Sequence, residues 1–266
     1  MRDNRTESTQ AWGKRIIAVC GKGGVGKTAF TAMLTKVLLE RSNTGKLLVI
    51  DADPALGLTN ALGLHIEKTM GQVRETIINT ARAGESTALA EIVSMLDYMV
   101  MEALVEADKL ALLAMGRSES LGCFCPVNDM LRDAIKILSQ RFDTIVIDGE
   151  AGLEQINRQV MGELDCLIML TDSSARGLQT VAILKDMVDE KKVIQCSKTG
   201  VVFNRVQNDE NYLAQSAAKI GVDIFGFVPQ DTVVASYDLI GRPLLELPQD
   251  SVALSAVRMV VDNLGQ

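Results

Sequence analysis

Directly after the apolar run Ile16-Ile17-Ala18-Val19-Cys20 the chain reads GKGGVGKT, Gly21 to Thr28, and passes at once into a helical pattern over 27–40. No other stretch restricts the fold so tightly. The pattern demands a strand, a turn whose backbone N–H groups close around an anion, and a helix whose N-terminus adds positive potential. Gly21, Gly23, Gly24 and Gly26 permit the turn, and Lys22, Val25 and Ala29 lie on its path. Lys27 is spaced to reach terminal phosphates and Thr28 to hold Mg²⁺ through its hydroxyl. A chance glycine-rich turn rarely has both the strand and the helix in place.

Other runs rich in Val, Ile and Leu recur at 46–51, 109–115, 143–148, 165–171 and 199–204. Such runs read as parallel strands buried on both faces. Helical patterns over 128–140, 175–190 and 208–220 alternate with them, which predicts an α/β fold: a doubly wound, mostly parallel sheet flanked by helices, the P-loop NTPase architecture. Residues 1–14 are expected to be a polar tail and 15–266 a single domain. One region breaks the rhythm. About 66–108 shows no strand-like run and is expected to be an all-helical insertion. Its second helix carries Leu89, Ile92, Val93, Leu96, Met99 and Val100, with Tyr98, Met101 and Val105 widening the apolar face. Packing against the sheet is the plainer reading of that face, and a partner surface the sharper one.

The formal net charge of −7 argues against nucleic-acid or anionic-lipid partners. Residues 1–14 lack the apolar segment of a secretory signal, and five cysteines without one fit a reducing cytoplasm. Cys20, Cys166 and Cys196 fall at or beside strands and read as core residues. The only histidine, His65, reads as a cap or packing residue beside a turn.

The second lysine of the loop, Lys22, makes KGGVGKT resemble the deviant Walker A loop of the MinD/ParA/nitrogenase-iron-protein class. In that class the early lysine reaches a partner's nucleotide, so the resemblance implies an ATP-hydrolysing homodimer, with Lys22 and Lys27 catalytic. The plainer reading of Lys22 is a solvated charge near phosphates. The resemblance also implies that Asp53 in VIDADPALGL orients the attacking water and Asp51 stands behind Mg²⁺, or the reverse. It implies that Asp148 in IVIDGEAG holds hydrated Mg²⁺ and that Gly152 is a switch glycine sensing the γ-phosphate. Asn204 of VVFNRV, with Arg205, and GFVPQD, with Pro229 and Asp231, are implied to form the base pocket, and ATP/ADP the nucleotide.

Within that class a membrane-bound regulator would need a basic amphipathic C-terminal helix, and 251–265 carries one Arg and one Asp. The iron protein would need a cysteine soon after Asp148, and GEAGLEQINRQV has none. GCFCPVNDMLR, together with VIDADP, DGEAGLEQINR and FGFVPQD, resembles the CooC family, the nickel-insertion accessory ATPases of carbon monoxide dehydrogenase. That resemblance implies Ni²⁺ or Zn²⁺ bound by Cys123-x-Cys125 and a nickel–iron–sulfur client, carbon monoxide dehydrogenase or acetyl-CoA synthase. Two thiolates are half of a tetrahedral site, so two copies across a dimer interface would complete a Cys₄ set. A nucleotide-switched scaffold for protein or DNA cargo and a C-x-C redox sensor stand as alternatives.

Overall fold

The computed structural model describes residues 14–82, 94–117, 125–149, 160, 163–190, 195–207 and 209–265. Their element order is β1 (Arg15–Cys20), α1 (Lys27–Glu40), β2 (Leu47–Asp51), α2 (Gly57–Leu62), α3 (Met70–Arg82), α4 (Leu96–Glu102), β3 (Leu104–Ala107), β4 (Leu110–Ala114), α5 (Cys125–Ser139), β5 (Thr144–Asp148), β6 (Glu163–Thr171), α6 (Ala175–Asp189), β7 (Gln195–Val206), α7 (Glu210–Ile220), β8 (Asp223–Pro229), α8 (Thr232–Leu239) and α9 (Val252–Leu264). They build one eight-stranded sheet in the order β3-β4-β2-β5-β1-β6-β7-β8. Every pairing is parallel except β3 with β4.

Strand alternation divides the core in two. Ala18, Cys20, Leu48 and Ile50 face a layer formed by α3 to α7, which contributes Val73, Ile77, Val100, Ile135, Leu184 and Leu213. Ile17, Val19, Leu47 and Val49 face the opposite layer, where α1, α2 and α9 contribute Phe30, Leu34, Leu58, Leu254 and Val257. The Val/Ile/Leu runs are continuous because both faces of each central strand are covered. β1 lies between β5 and β6, where the chain switches direction of travel across the sheet. In such sheets ligands bind at the carboxyl ends of the strands beside that switch.

The expected all-helical insertion is corrected at its end. Leu104–Ala107 is a strand, paired antiparallel with β4 from Leu104↔Leu113 to Ala107↔Leu110. The two residues between them, Asp108 and Lys109, close a tight hairpin in which Asp108 takes φ +49°. Leu96, Met99 and Val100 are buried against α3 and α5, which is the packing reading of that helix. Tyr98 is exposed and does not widen the buried face. Leu89, Ile92 and Val93 lie outside the described residues. Among the described residues no helix is long and apolar enough to cross a membrane.

Candidate functional site: a phosphate loop over paired carboxylates

The loop from Gly21 to Gly26 joins β1 to α1 at the centre of the sheet. Gly21 has φ +152°, and a Cβ there would lie 2.0 Å from the Leu170 carbonyl oxygen of β6. Gly26 precedes the helix with φ +88°, and a Cβ there would meet the Asn204 amide at 2.8 Å. α1 starts without a side-chain cap and without an acidic residue in its first turn, so its leading N–H groups face the loop uncompeted. Lys27 is buried, and its Nζ donates to the Lys22 carbonyl at 3.4 Å. Lys22 is half-buried with its ammonium 3.9 Å from the Asp172 carboxylate, a partner that sequence reasoning missed. Asp172 stands just after β6 and binds Ser174, whose hydroxyl caps α6.

Beneath the loop, Asp51 and Asp148 end neighbouring strands in direct register. Asp51 accepts from the backbone N–H groups of Asp53 at 3.1 Å and Leu58 at 3.2 Å. Burial, then the Asp148 charge, pushes its carboxyl up to about 7. Asp148 Oδ1 accepts from the Thr31 hydroxyl at 3.0 Å, a bond that sequence reasoning also missed. Thr31 follows Thr28 by three residues on α1 and so shares its face, which is the signal that would have found it. Burial pushes Asp148 up to about 6 against the hydrogen bonds of Thr28 and Thr31 and the charge of Lys27. Its Oδ2 is buried and has no hydrogen-bond partner among the described residues. An orphaned carboxylate oxygen beside a threonine hydroxyl and a second carboxylate fits a hydrated divalent cation of the Mg²⁺ type. Asp53 is less buried than Asp51, and its carboxylate accepts from the Ala55 N–H at 2.9 Å, an Asx turn that leaves it toward solvent.

The residues expected to form a base pocket also converge. Ala29, Asn204, Arg205, Pro229 and Asp231 line one cavity of about 320 Å³. Asn204 is buried and its amide donates to the Val25 carbonyl at 2.8 Å. The Asp231 carboxylate is committed elsewhere, accepting from the Val233 N–H at 2.8 Å, the Ser251 hydroxyl at 2.7 Å and the Ala253 N–H at 3.2 Å. It ties α8 to α9 and so shapes the cavity wall.

Cys123, the Cys125 side chain and Gly152 lie outside the described residues. Cys125 opens α5, ten residues or so beyond the carboxyl end of β4. Among the described residues no group of three or more His, Cys, Asp and Glu side chains is arranged to hold a metal. Cys20 and Cys166 are buried, and burial pushes each thiol up to about 12, so both are inert packing residues. Cys196 is half-buried, and His65 is exposed.

Sheet order, loop and paired carboxylates define a P-loop domain with the fold of the MinD and ParA ATPases. MinD of Pyrococcus furiosus superposes with a TM-score of 0.69 at 22% identity, covering 95% of this chain and 98% of that one. A ParA family ATPase of Chlorobium tepidum superposes with a TM-score of 0.68 at 20% identity, covering 95% of this chain and all of the other. The AAA domain family model matches residues 14–199, and the chain belongs to that family. An ATP-binding protein of Methanocaldococcus jannaschii is 39% identical over 94% of this chain and 98% of its own length. The carbon monoxide dehydrogenase accessory protein CooC of Rhodospirillum rubrum is 29% identical over 87% of this chain and 89% of its own length.

Proposed function

We propose that this chain binds ATP with Mg²⁺, hydrolyses it as a homodimer and serves as a CooC-like maturation factor for a nickel enzyme. The observation that carries the nucleotide half is the buried pair Asp51–Asp148 under a two-lysine loop, with one carboxylate oxygen unpartnered among the described residues. The ATP-binding relative supports the choice of nucleotide. Thr28 and Asp148 would hold Mg²⁺, with Asp51 behind them, and the ion supplies charge neutralisation on the phosphate oxygens. The N–H groups of residues 21–29 cradle the phosphates and Lys27 contacts the terminal ones. Asp53 orients a water for in-line attack on the γ-phosphorus, and the bond to the β-phosphate oxygen breaks to release phosphate and ADP. Lys22 leaves Asp172 and reaches the partner's nucleotide. Gly152 follows the presence of the γ-phosphate.

The metallochaperone half rests on the likeness to the accessory protein and on Cys123-x-Cys125. Cys125 opens α5 on the side of the sheet where β4, β2 and β5 end, the same side as the loop, so closure of two protomers over nucleotide can bring two Cys pairs together. Ni²⁺ or Zn²⁺ is then cargo held by four thiolates, for a carbon monoxide dehydrogenase or acetyl-CoA synthase client. The test is metal content and oligomeric state with ATP, ADP or no nucleotide, in wild type and in a Cys123→Ser/Cys125→Ser variant. About half a metal ion per protomer, lost in the variant, is the result expected for one shared site. Unchanged metal content in the variant overturns it. Nucleotide-dependent dimers indifferent to metal would favour the scaffold alternative.

A further inference from the structure

Asn204 and Arg205 are consecutive on β7, yet both side chains reach the same short piece of the phosphate loop. In a regular strand adjacent side chains point to opposite faces of the sheet. Here the ladder slips: Asn204 pairs with Val228 and Val206 with Pro229, so Arg205 is the extra residue of a bulge. Its backbone takes φ +59°, a left-handed conformation rare for a side chain of this size. The slip turns the Arg205 side chain toward the loop, where Nη1 donates to the Gly24 carbonyl at 3.3 Å. The Asn204 amide donates to the next carbonyl, Val25, at 2.8 Å. Both groups also close over Gly26, whose missing Cβ would lie 2.8 Å from the Asn204 amide and 3.3 Å from the Arg205 guanidinium.

We infer that the bulge at Arg205 is a positioning device, a two-point staple that holds the phosphate loop in its anion-binding shape from outside. The argument is one of peptide geometry. In a planar trans peptide the carbonyl of one residue and the N–H of the next point in opposite directions, and no peptide among the described residues is cis. Drawing the Gly24 and Val25 carbonyls toward β7 therefore turns the N–H groups of Val25 and Gly26 away from it, to the side left for phosphate. A glycine-rich loop left to itself samples many shapes, and ordering it on binding would weaken affinity. The staple supplies that order beforehand, and the left-handed backbone of Arg205 is the local strain that makes it possible.

This inference deepens the ATP reading and rests on it. Its test compares wild type with Arg205→Ala, Arg205→Gly and Arg205→Lys, measuring calorimetric affinity for ATP, ADP and inorganic triphosphate with Mg²⁺, and steady-state kinetics. Loss of a charged donor to a loop carbonyl is expected to weaken all three ligands by a common factor of roughly ten in the Ala and Gly variants. KM should rise more than kcat falls, and Lys should recover part of the loss. Arg205→Gly relieves the left-handed strain, so it keeps the fold while lacking the guanidinium, and its melting temperature should be at or above that of Arg205→Ala. Wild-type affinity in Arg205→Gly, or a loss confined to ATP and ADP with inorganic triphosphate unaffected, overturns the staple and makes Arg205 a bystander or a base contact. Failure of the wild type to bind ATP at all would instead overturn the ATP reading itself.

Discussion

Asp51 and Asp148 stand opposite one another across the β2–β5 ladder, two buried carboxyls whose proton affinities are raised to about 7 and about 6. Burial is the larger cause in each, and for Asp51 the charge of Asp148 adds to it. Both values lie above the 3.8 of a free aspartate, so the native state holds protons that the unfolded chain has released. Their contribution to stability is therefore full below that ordinary value and is lost as pH rises through the folded values. Without nucleotide and in chelator, these two groups should lower the melting temperature as pH rises from about 4 to about 7, and Asp148→Asn should flatten the decline. A wild-type slope of opposite sign, or one unchanged in the variant, contradicts the pairing as a source of stored repulsion.

Asp51 and Asp53 separate into different jobs by their contacts. Asp51 is enclosed and anchors two backbone N–H groups, whereas the less buried Asp53 carboxylate accepts, among the described residues, from the Ala55 N–H. Asp53→Ala should slow single-turnover hydrolysis by about 10²-fold or more while leaving ATP affinity near wild type. Asp51→Ala should instead lower stability by about 1–3 kcal/mol, because two buried N–H groups lose their acceptor. If Asp53→Ala abolishes binding while Asp51→Ala stops only turnover, the two roles are exchanged.

Much of this arrangement was legible in the sequence because it is local. A strand, GKGGVGKT and a helix are contiguous, and buried parallel strands announce themselves as unbroken Val/Ile/Leu runs. What escaped was either weakly patterned or non-local. The strand Leu104–Ala107 has four residues, half of them exposed, and its neighbour supplies the pairing that makes it a strand. β8 contains Gly226 and ends in Pro229, which break the apolar run, and it is not among the expected strands although it closes the edge of the sheet. The contact of Lys22 with Asp172 spans 150 positions, and no spacing rule reaches across β6 to find it. Asp231 was expected to line the base pocket. It lines one cavity with Asn204, Arg205 and Pro229, and its carboxylate is committed to Ser251 and two helix starts, which only the meeting of α8 and α9 reveals.

Asp231 should therefore behave as a structural residue with a secondary effect on nucleotide affinity. Its carboxyl lies below the ordinary range: partial burial pushes it up, and the bonds from Ser251, Ala253, Val233 and Val234 more than offset that. Stability from this group is present above the usual aspartate value and is lost as pH falls through the folded one. Asp231→Ala removes a cap and two further acceptor contacts, so a loss of about 2–4 kcal/mol is expected at neutral pH. A drop of melting temperature by about 5–10 °C is the corresponding reading. Equal melting points for variant and wild type would place the α8–α9 junction elsewhere.

Lys22 is held by its own chain, 3.9 Å from Asp172, while its proposed target belongs to a second copy. The Asp172 carboxyl sits below its usual range: burial raises it, but the bonds from Ser174, with Lys22's charge helping, win. It therefore stays ionised at neutral pH and competes for the lysine. About a third of each side chain is exposed, so the competition is worth a fraction of a kcal/mol up to about one. Asp172→Asn removes the charge and keeps a bonding partner for Ser174. ATP-dependent dimerisation, followed by sedimentation, should then shift to protein concentrations lower by a factor of up to about five. The shift should shrink as salt rises, since screening weakens the same ion pair in the wild type. Weaker dimerisation in Asp172→Asn would mean that this carboxylate serves the interface itself and does not restrain Lys22.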